Sequence, residues 1–163
     1  MSSSLGRAVR GPDCYEPRGI TLGSAGTHVD ESRFGKWFLS TDTWATHVLE
    51  RALDDLVRLI GPRRQPRPVV IDVGCGWGRS LKLLDERFAP SRLIAVDIDS
   101  QMLSGAIAEA DRSGISAEFE LASSSDLPLT NESVDVLLCH QTFHHLVEQE
   151  RTLLEFHRVL KPS

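Results

Sequence analysis

Three glycines at alternate positions, Gly74, Gly76 and Gly78, follow directly on the apolar run Val69-Val70-Ile71-Asp72-Val73 and precede a segment of helical period. A strand that runs into such a turn and then into a helix can bring its backbone against a ligand. Glycine has no Cβ to block the approach and adopts φ > 0 without strain. The helix beyond offers N–H groups without intrahelical partners. About twenty residues further on, a second apolar run ends in Asp97, a carboxylate placed to accept hydrogen bonds from ribose hydroxyls. Strand, turn, helix, strand and acid in this order define a nucleotide-binding turn far more sharply than the glycines alone.

The turn departs from the dinucleotide form G-x-G-x-x-G: Arg79 fills the sixth position and the third glycine comes one place early. Asp72, two residues before Gly74, suits a cation better than a pyrophosphate. S-adenosylmethionine (SAM) carries an ammonium and a sulfonium and no phosphate. Acid before the turn and acid after the second strand match that charge pattern, and NAD matches it poorly. Cys75, inside the turn, reads as a small residue that fits there.

A second cluster, Cys139-His140-Gln141-Thr142-Phe143-His144-His145-Leu146, follows the fourth strand-like run. Ligands of open α/β sheets bind beyond the carboxyl ends of strands, where His140 and Gln141 fall. His140 is a candidate base for a hydroxyl or carbon acid near neutral pH. His144 and His145 also read as packing and capping residues at a loop–helix junction.

These groups need elements to hold them. From Val69 onward strand and helix alternate: strands at 69–73, 92–98, 116–121 and 134–139, helices at 80–88, 100–112 and 148–160. Asp99 or Ser100 caps the second of these helices and Gly114 stops it; Met102, Leu103, Ala106, Ile107 and Ala110 are its inward residues. The last helix carries Leu153, Leu154, Val159 and Leu160. Such alternation predicts an α/β, Rossmann-like, doubly wound parallel sheet. Upstream, Trp44, Val48, Ala52, Leu56 and Ile60 recur every four residues, widened by Leu49 and Leu53, with Thr41 or Asp42 as cap and Gly61-Pro62 as stop. This N-terminal helical extension and its linker occupy 34–68, after a Gly-, Ser-, Arg- and Pro-rich leader at 1–33 that reads as mobile or extended, and before the ligand-binding domain at 69–163. The linker, Arg63-Arg64-Gln65-Pro66-Arg67-Pro68, reads as a stiff basic connector. Phe34, Trp37 and Trp44 suit either a lid over the site or an apolar anchor onto the sheet.

The bulk composition sets the remaining bounds. The 163 residues suit one domain, and 40% apolar with 25% charged residues is ordinary globular usage. A net charge of -5 disfavours nucleic-acid partners. Cys14, Cys75 and Cys139 form neither a disulfide framework nor a metal pattern, and no apolar run is long enough to span a bilayer, so a cytoplasmic protein is expected.

From Val70 to Pro162 the sequence resembles the class I SAM-dependent methyltransferases, in particular the type 11 group that includes ubiquinone and menaquinone biosynthesis enzymes. Four blocks carry the likeness: residues 71–79, residues 94–99 with Met102-Leu103, Asp126-Leu127-Pro128-Leu129 with Ser133-Val134-Asp135-Val136, and Phe156-His157-Arg158-Val159-Leu160-Lys161-Pro162. The resemblance implies that Asp72 and the turn Gly74, Cys75, Gly76, Gly78 hold the methionine part of SAM. It implies that Asp97 binds the ribose, that Ile98 flanks the adenine, and that Met102 and His140 belong to the same cofactor site. The family's acid for the adenine amino group falls on Ser123, followed by Ser124 and Ser125; a hydroxyl accepts the same bond without charge assistance, and Asp126 is the substitute. The implied activity is methyl transfer to an O, N or C nucleophile of a small molecule. A non-catalytic SAM-binding or assembly module is the alternative, and an NAD-dependent oxidoreductase a weaker one. The Asn/Asp-Pro-Pro-aromatic motif of nucleobase amine methylation does not occur. The resemblance implies the strand order 3-2-1-4, which leaves the fourth strand with a bare edge where the chain stops, so truncation is expected, with a homodimer as another cover for that edge.

Overall fold

The computed structural model describes residues 34, 35, 37, 41, 45–61, 68–140, 142, 143 and 146–162. The leader at 1–33, the basic run at 62–67, and Asp42, Trp44, Gln141, His144 and His145 lie outside the described residues, and so do the expectations placed on them.

Four parallel strands make one sheet: β1 (Val69–Val73), β2 (Arg92–Asp97), β3 (Glu118–Leu121) and β4 (Val136–Leu138), in the order β3-β2-β1-β4. β1 is central, pairing Asp72 with Ala95 on one side and with Leu138 on the other. Its continuous apolar run is the mark of a strand covered on both faces. Val70, Ile71, Asp72 and Val73 are all buried.

Alternate residues of the strands feed two cores. Val70, Leu93, Ala95, Val136 and Leu138 pack with α1 (Glu50–Ile60), α2 (Leu81–Phe88) and α3 (Ser100–Ser113) through Leu53, Leu84, Phe88, Leu103 and Ala106. Ile71, Val73, Ile94 and Val96 pack on the other face with Leu127, Val134 and α4 (Gln149–Val159) through Phe156 and Val159. Helices on both faces of a parallel sheet make the fold doubly wound and Rossmann-like. The strand order reverses between β1 and β4, which opens a crevice beyond their carboxyl ends.

The helix ends follow their sequence signals. The Asp99 carboxylate accepts from the N–H groups of Gln101 and Met102 and caps α3, and Gly114 closes it at φ 68°. Gly61, at φ 71°, closes α1.

Several expectations need correction. β3 begins at Glu118 and β4 spans three residues, because Val134 forms a bridge with Leu160 instead of extending the ladder to β1. The N-terminal helix starts as a π-helical turn, Ala45–Leu49, before α1. That turn rotates the buried stripe onto Leu49 and Leu53, leaving Ile60 43% exposed. On α3 Ile107 is 41% exposed, and on α4 Leu153 and Leu154 are 53% and 71% exposed. Val159 is buried as expected, and Thr152 and Phe156 make up the rest of the buried face of α4. Phe34 and Trp37 are exposed and pair with each other, ring centroids 5.6 Å apart, so neither ring anchors onto the sheet. No helix among the described residues is long and apolar enough to cross a membrane.

Candidate functional site

Because the strands are parallel, their carboxyl ends lie along one edge, and the segments after β1, β2, β3 and β4 share it. The turn after β1 is tied to β2 by two bonds to one carbonyl: Gly74 and Cys75 donate to Val96 O at 2.8 and 3.0 Å. Gly74, Gly76 and Gly78 have φ of 77°, 53° and 75°. Their surroundings differ. A Cβ on Gly74 would collide with the Thr142 side chain, and one on Gly78 would press on Ala106 Cα at 3.0 Å. At Gly76 it would meet nothing within 4 Å. Thr142 closes the turn on one side and α3 on another, and the open approach is at Gly76.

Asp97 stands at that opening. Its Oδ2 accepts from Gly76 N at 2.8 Å and its Oδ1 from Asp99 N at 2.9 Å. A carboxylate has about four acceptor positions, so acceptor capacity remains toward the opening. Burial raises its pKa, and the backbone N–H groups of Asp99, Gly76 and Ile98 oppose that shift.

Asp72 lies deeper and is only 3% exposed. Its Oδ2 accepts from the hydroxyl of Ser80, the residue just before α2. Burial pushes its pKa up to about 7; the Ser80 bond opposes this and the Asp97 charge adds to it. Among the described residues no cation enters the hydrogen bonds of either carboxylate, and burial raises the pKa of both. A cationic ligand would relieve both, whereas a pyrophosphate would add to the repulsion. The open face at Gly76, the remaining acceptor capacity of Asp97 and the electronegative floor at Asp72 fit the ribose and cationic amino acid of SAM.

The other expected site residues lie around the same edge. Ile98 and Met102 are half-buried between β2 and the first turn of α3. Ser123 and Ser124 follow β3, also half-buried. Their hydroxyls are engaged: Ser123 with Ser125 at 3.0 Å, Ser124 with the buried Thr152 at 3.2 Å. Ser123 also bridges to Asp126 in antiparallel fashion, and Asp126 is exposed. His140 is half-buried just beyond β4, and burial lowers its pKa, so its imidazole is neutral at neutral pH. Cys75 is buried in the turn and its thiol pKa is raised by burial and by Asp72 and Asp97; that of Cys139 is pushed up to about 12 by burial. Neither thiol is a nucleophile near neutral pH.

Sequence reasoning missed Ser80, Thr142 and the pairing of Trp77 with Gly105. The Trp77 ring lies where a Cβ on Gly105 would sit, so α3 carries a glycine mid-helix to seat it. The one available signal was that glycine, which is unfavourable inside a helix unless something approaches closely. Thr142 gave none, since its partner lies 68 residues away.

The comparisons with known proteins agree with this geometry. The family described as "Methyltransferase domain" matches residues 71–163, more than half of the chain. The chain therefore belongs to the class I, type 11, SAM-dependent methyltransferase family. It is 33% identical over 134 residues to a malonyl-[acyl-carrier protein] O-methyltransferase of Marinomonas sp. (strain MWYL1), covering 80% of this chain and 47% of the relative. It is 28% identical over 140 residues to phosphoethanolamine N-methyltransferase 3 of Arabidopsis thaliana, covering 86% of this chain and 27% of that one. A SAM-dependent methyltransferase from Aquifex aeolicus superposes with a TM-score of 0.64 at 25% identity, over 78% of this chain and 65% of that chain. The chain thus spans about half or less of the length of the curated relatives it matches.

Proposed function

We propose that this chain binds SAM against the turn at 74–80 and transfers its methyl group to an O, N or C nucleophile of a small molecule. The observation that carries the reading is the opening at Gly76, walled by Asp97 and floored by the buried, charge-starved Asp72. SAM supplies an activated methyl on a sulfonium, so the protein's share is alignment, exclusion of water and, where needed, a base. In this reading Asp97 takes the ribose hydroxyls on its remaining acceptor capacity. Gly74, Cys75, Gly76 and Gly78 present backbone to the methionine part, and Asp72 favours its positive charge from below. Ile98 and Met102 flank the adenine, with Ser123 and Ser124 at its polar edge. His140, neutral and beyond the end of β4, is the candidate base facing the acceptor.

The remaining expectations belong to the same proposal. The acceptor is a small metabolite rather than nucleic acid, in a cytoplasmic setting. β4 is an edge strand of the described sheet, and a second copy of the chain would cover its outer side. Relatives named for an O- and an N-methyl acceptor support the reaction class and leave the acceptor open.

Titration calorimetry with SAM, S-adenosylhomocysteine and NAD tests the cofactor. Binding of the first two and not the third is expected; no SAM binding by the folded chain at millimolar concentration would overturn the reading. A non-catalytic SAM-binding module is the second reading, favoured by Ser123, whose hydroxyl replaces an acid and is already engaged with Ser125. A methyl-release assay across candidate metabolites separates enzyme from module.

A further inference from the structure

Two loops distant in sequence meet at Gly74. The Thr142 hydroxyl lies 3.1 Å from Gly74 O and 3.3 Å from His140 O, and its side chain fills the space a Cβ on Gly74 would need. One hydroxyl proton serves one carbonyl at a time. The bond to His140 is local and the longer of the two, while the bond to Gly74 joins segments 68 residues apart.

We propose that Thr142 is a positioning residue of the cofactor site, locking the segment after β4, which carries His140, to the glycine turn so that the two respond to cofactor together. This rests on the SAM-binding reading above. The peptide unit between Gly74 and Cys75 is held at both ends: its N–H donates to Val96 O at 3.0 Å and its carbonyl accepts from Thr142. The next N–H, that of Gly76, is the one donated to Asp97. Rotation of the Gly74–Cys75 peptide would loosen the stretch of turn that presents Gly76 N–H to Asp97, and with it the open face and the aim of the diol-binding carboxylate. β2 restrains that rotation from one end and Thr142 from the other. Gly74 must be glycine for a second reason beside its φ of 77°, because only a missing Cβ admits Thr142.

Thr142→Val removes the hydroxyl at nearly constant shape, and Thr142→Ser restores it. S-adenosylhomocysteine is the probe, read by calorimetry and by amide hydrogen exchange of the glycine-turn, 139–143, β1 and β2 segments. For Thr142→Val we expect about fivefold weaker binding, the equivalent of one neutral hydrogen bond. Exchange should be faster in the glycine turn and unchanged in β1 and β2. Ligand should protect both loops in the wild type but only the glycine turn in Thr142→Val, and Thr142→Ser should follow the wild type. Wild-type affinity and exchange in Thr142→Val would overturn the proposal, as would a serine variant that behaves like valine. Faster exchange spread through β1 and β2 would show a merely structural role and also count against it. If the wild type binds no S-adenosylhomocysteine, the SAM-binding reading fails; exchange of the unliganded glycine turn in Thr142→Val then still decides whether Thr142 holds it.

Discussion

Two carboxylates divide the work at the head of the turn, and their surroundings assign it. Asp97 is partly accessible, holds Gly76 and Asp99 through their N–H groups, and keeps acceptor capacity toward the opening. Asp97→Ala should weaken S-adenosylhomocysteine binding by about tenfold or more, since hydrogen bonds to a charged group contribute about 1.5–3 kcal/mol; unchanged affinity in calorimetry would remove Asp97 from the ribose site. Asp72 is buried, with its pKa raised to about 7 from the ordinary 3.8. The unfolded chain ionises this group near its ordinary value, so between about pH 4 and 7 folding takes up a proton. Its contribution to stability is therefore fully present below that window and is lost as pH rises through 7. Asp72→Asn should narrow the fall in thermal midpoint between pH 5 and 8, and an identical fall in both proteins would refute the assignment. A cationic ligand reverses the preference, so SAM affinity should strengthen as pH rises toward 7 and then level off.

The elements hold these residues through bonds the sequence shows only in part. β1 and β2 were legible because strands covered on both faces must be apolar throughout, and the α3 cap at Asp99 because its side chain satisfies its own local N–H groups. The core face of α4 was not. Leu153 and Leu154 look like core residues, yet Thr152 is buried because its hydroxyl meets Ser124, a partner that no period reveals. The same helix clasps the segment after β3. Arg158 donates to the carbonyls of Leu127 and Leu129 at 3.1 and 2.7 Å while pairing with Glu155, whose carboxylate accepts from Leu127 N at 2.7 Å. The Arg158 bond holds the Glu155 carboxyl below its usual range. Arg158→Met keeps much of the apolar stem and deletes the donors. It should lower stability by about 2 kcal/mol, several part-buried bonds being lost together, with a matching loss of thermal midpoint; an unchanged midpoint would mean the clasp contributes nothing.

Over the whole molecule, four parallel strands reverse their order between β1 and β4, and the candidate site residues gather at and beyond their carboxyl ends. The parallel sheet and the glycine turn were legible because alternation of period and a positive-φ turn are local properties, and the strand order came with the family resemblance. The depth of Asp72 and the closure at Gly74 were not, because each depends on neighbours brought in by the fold. The most direct test of the site is a crystal structure of the chain with S-adenosylhomocysteine. The ligand should lie against Gly76, its two ribose hydroxyls on the Asp97 carboxylate and its amino acid over Asp72. Density for the ligand elsewhere, or a ribose turned away from Asp97, would contradict the account.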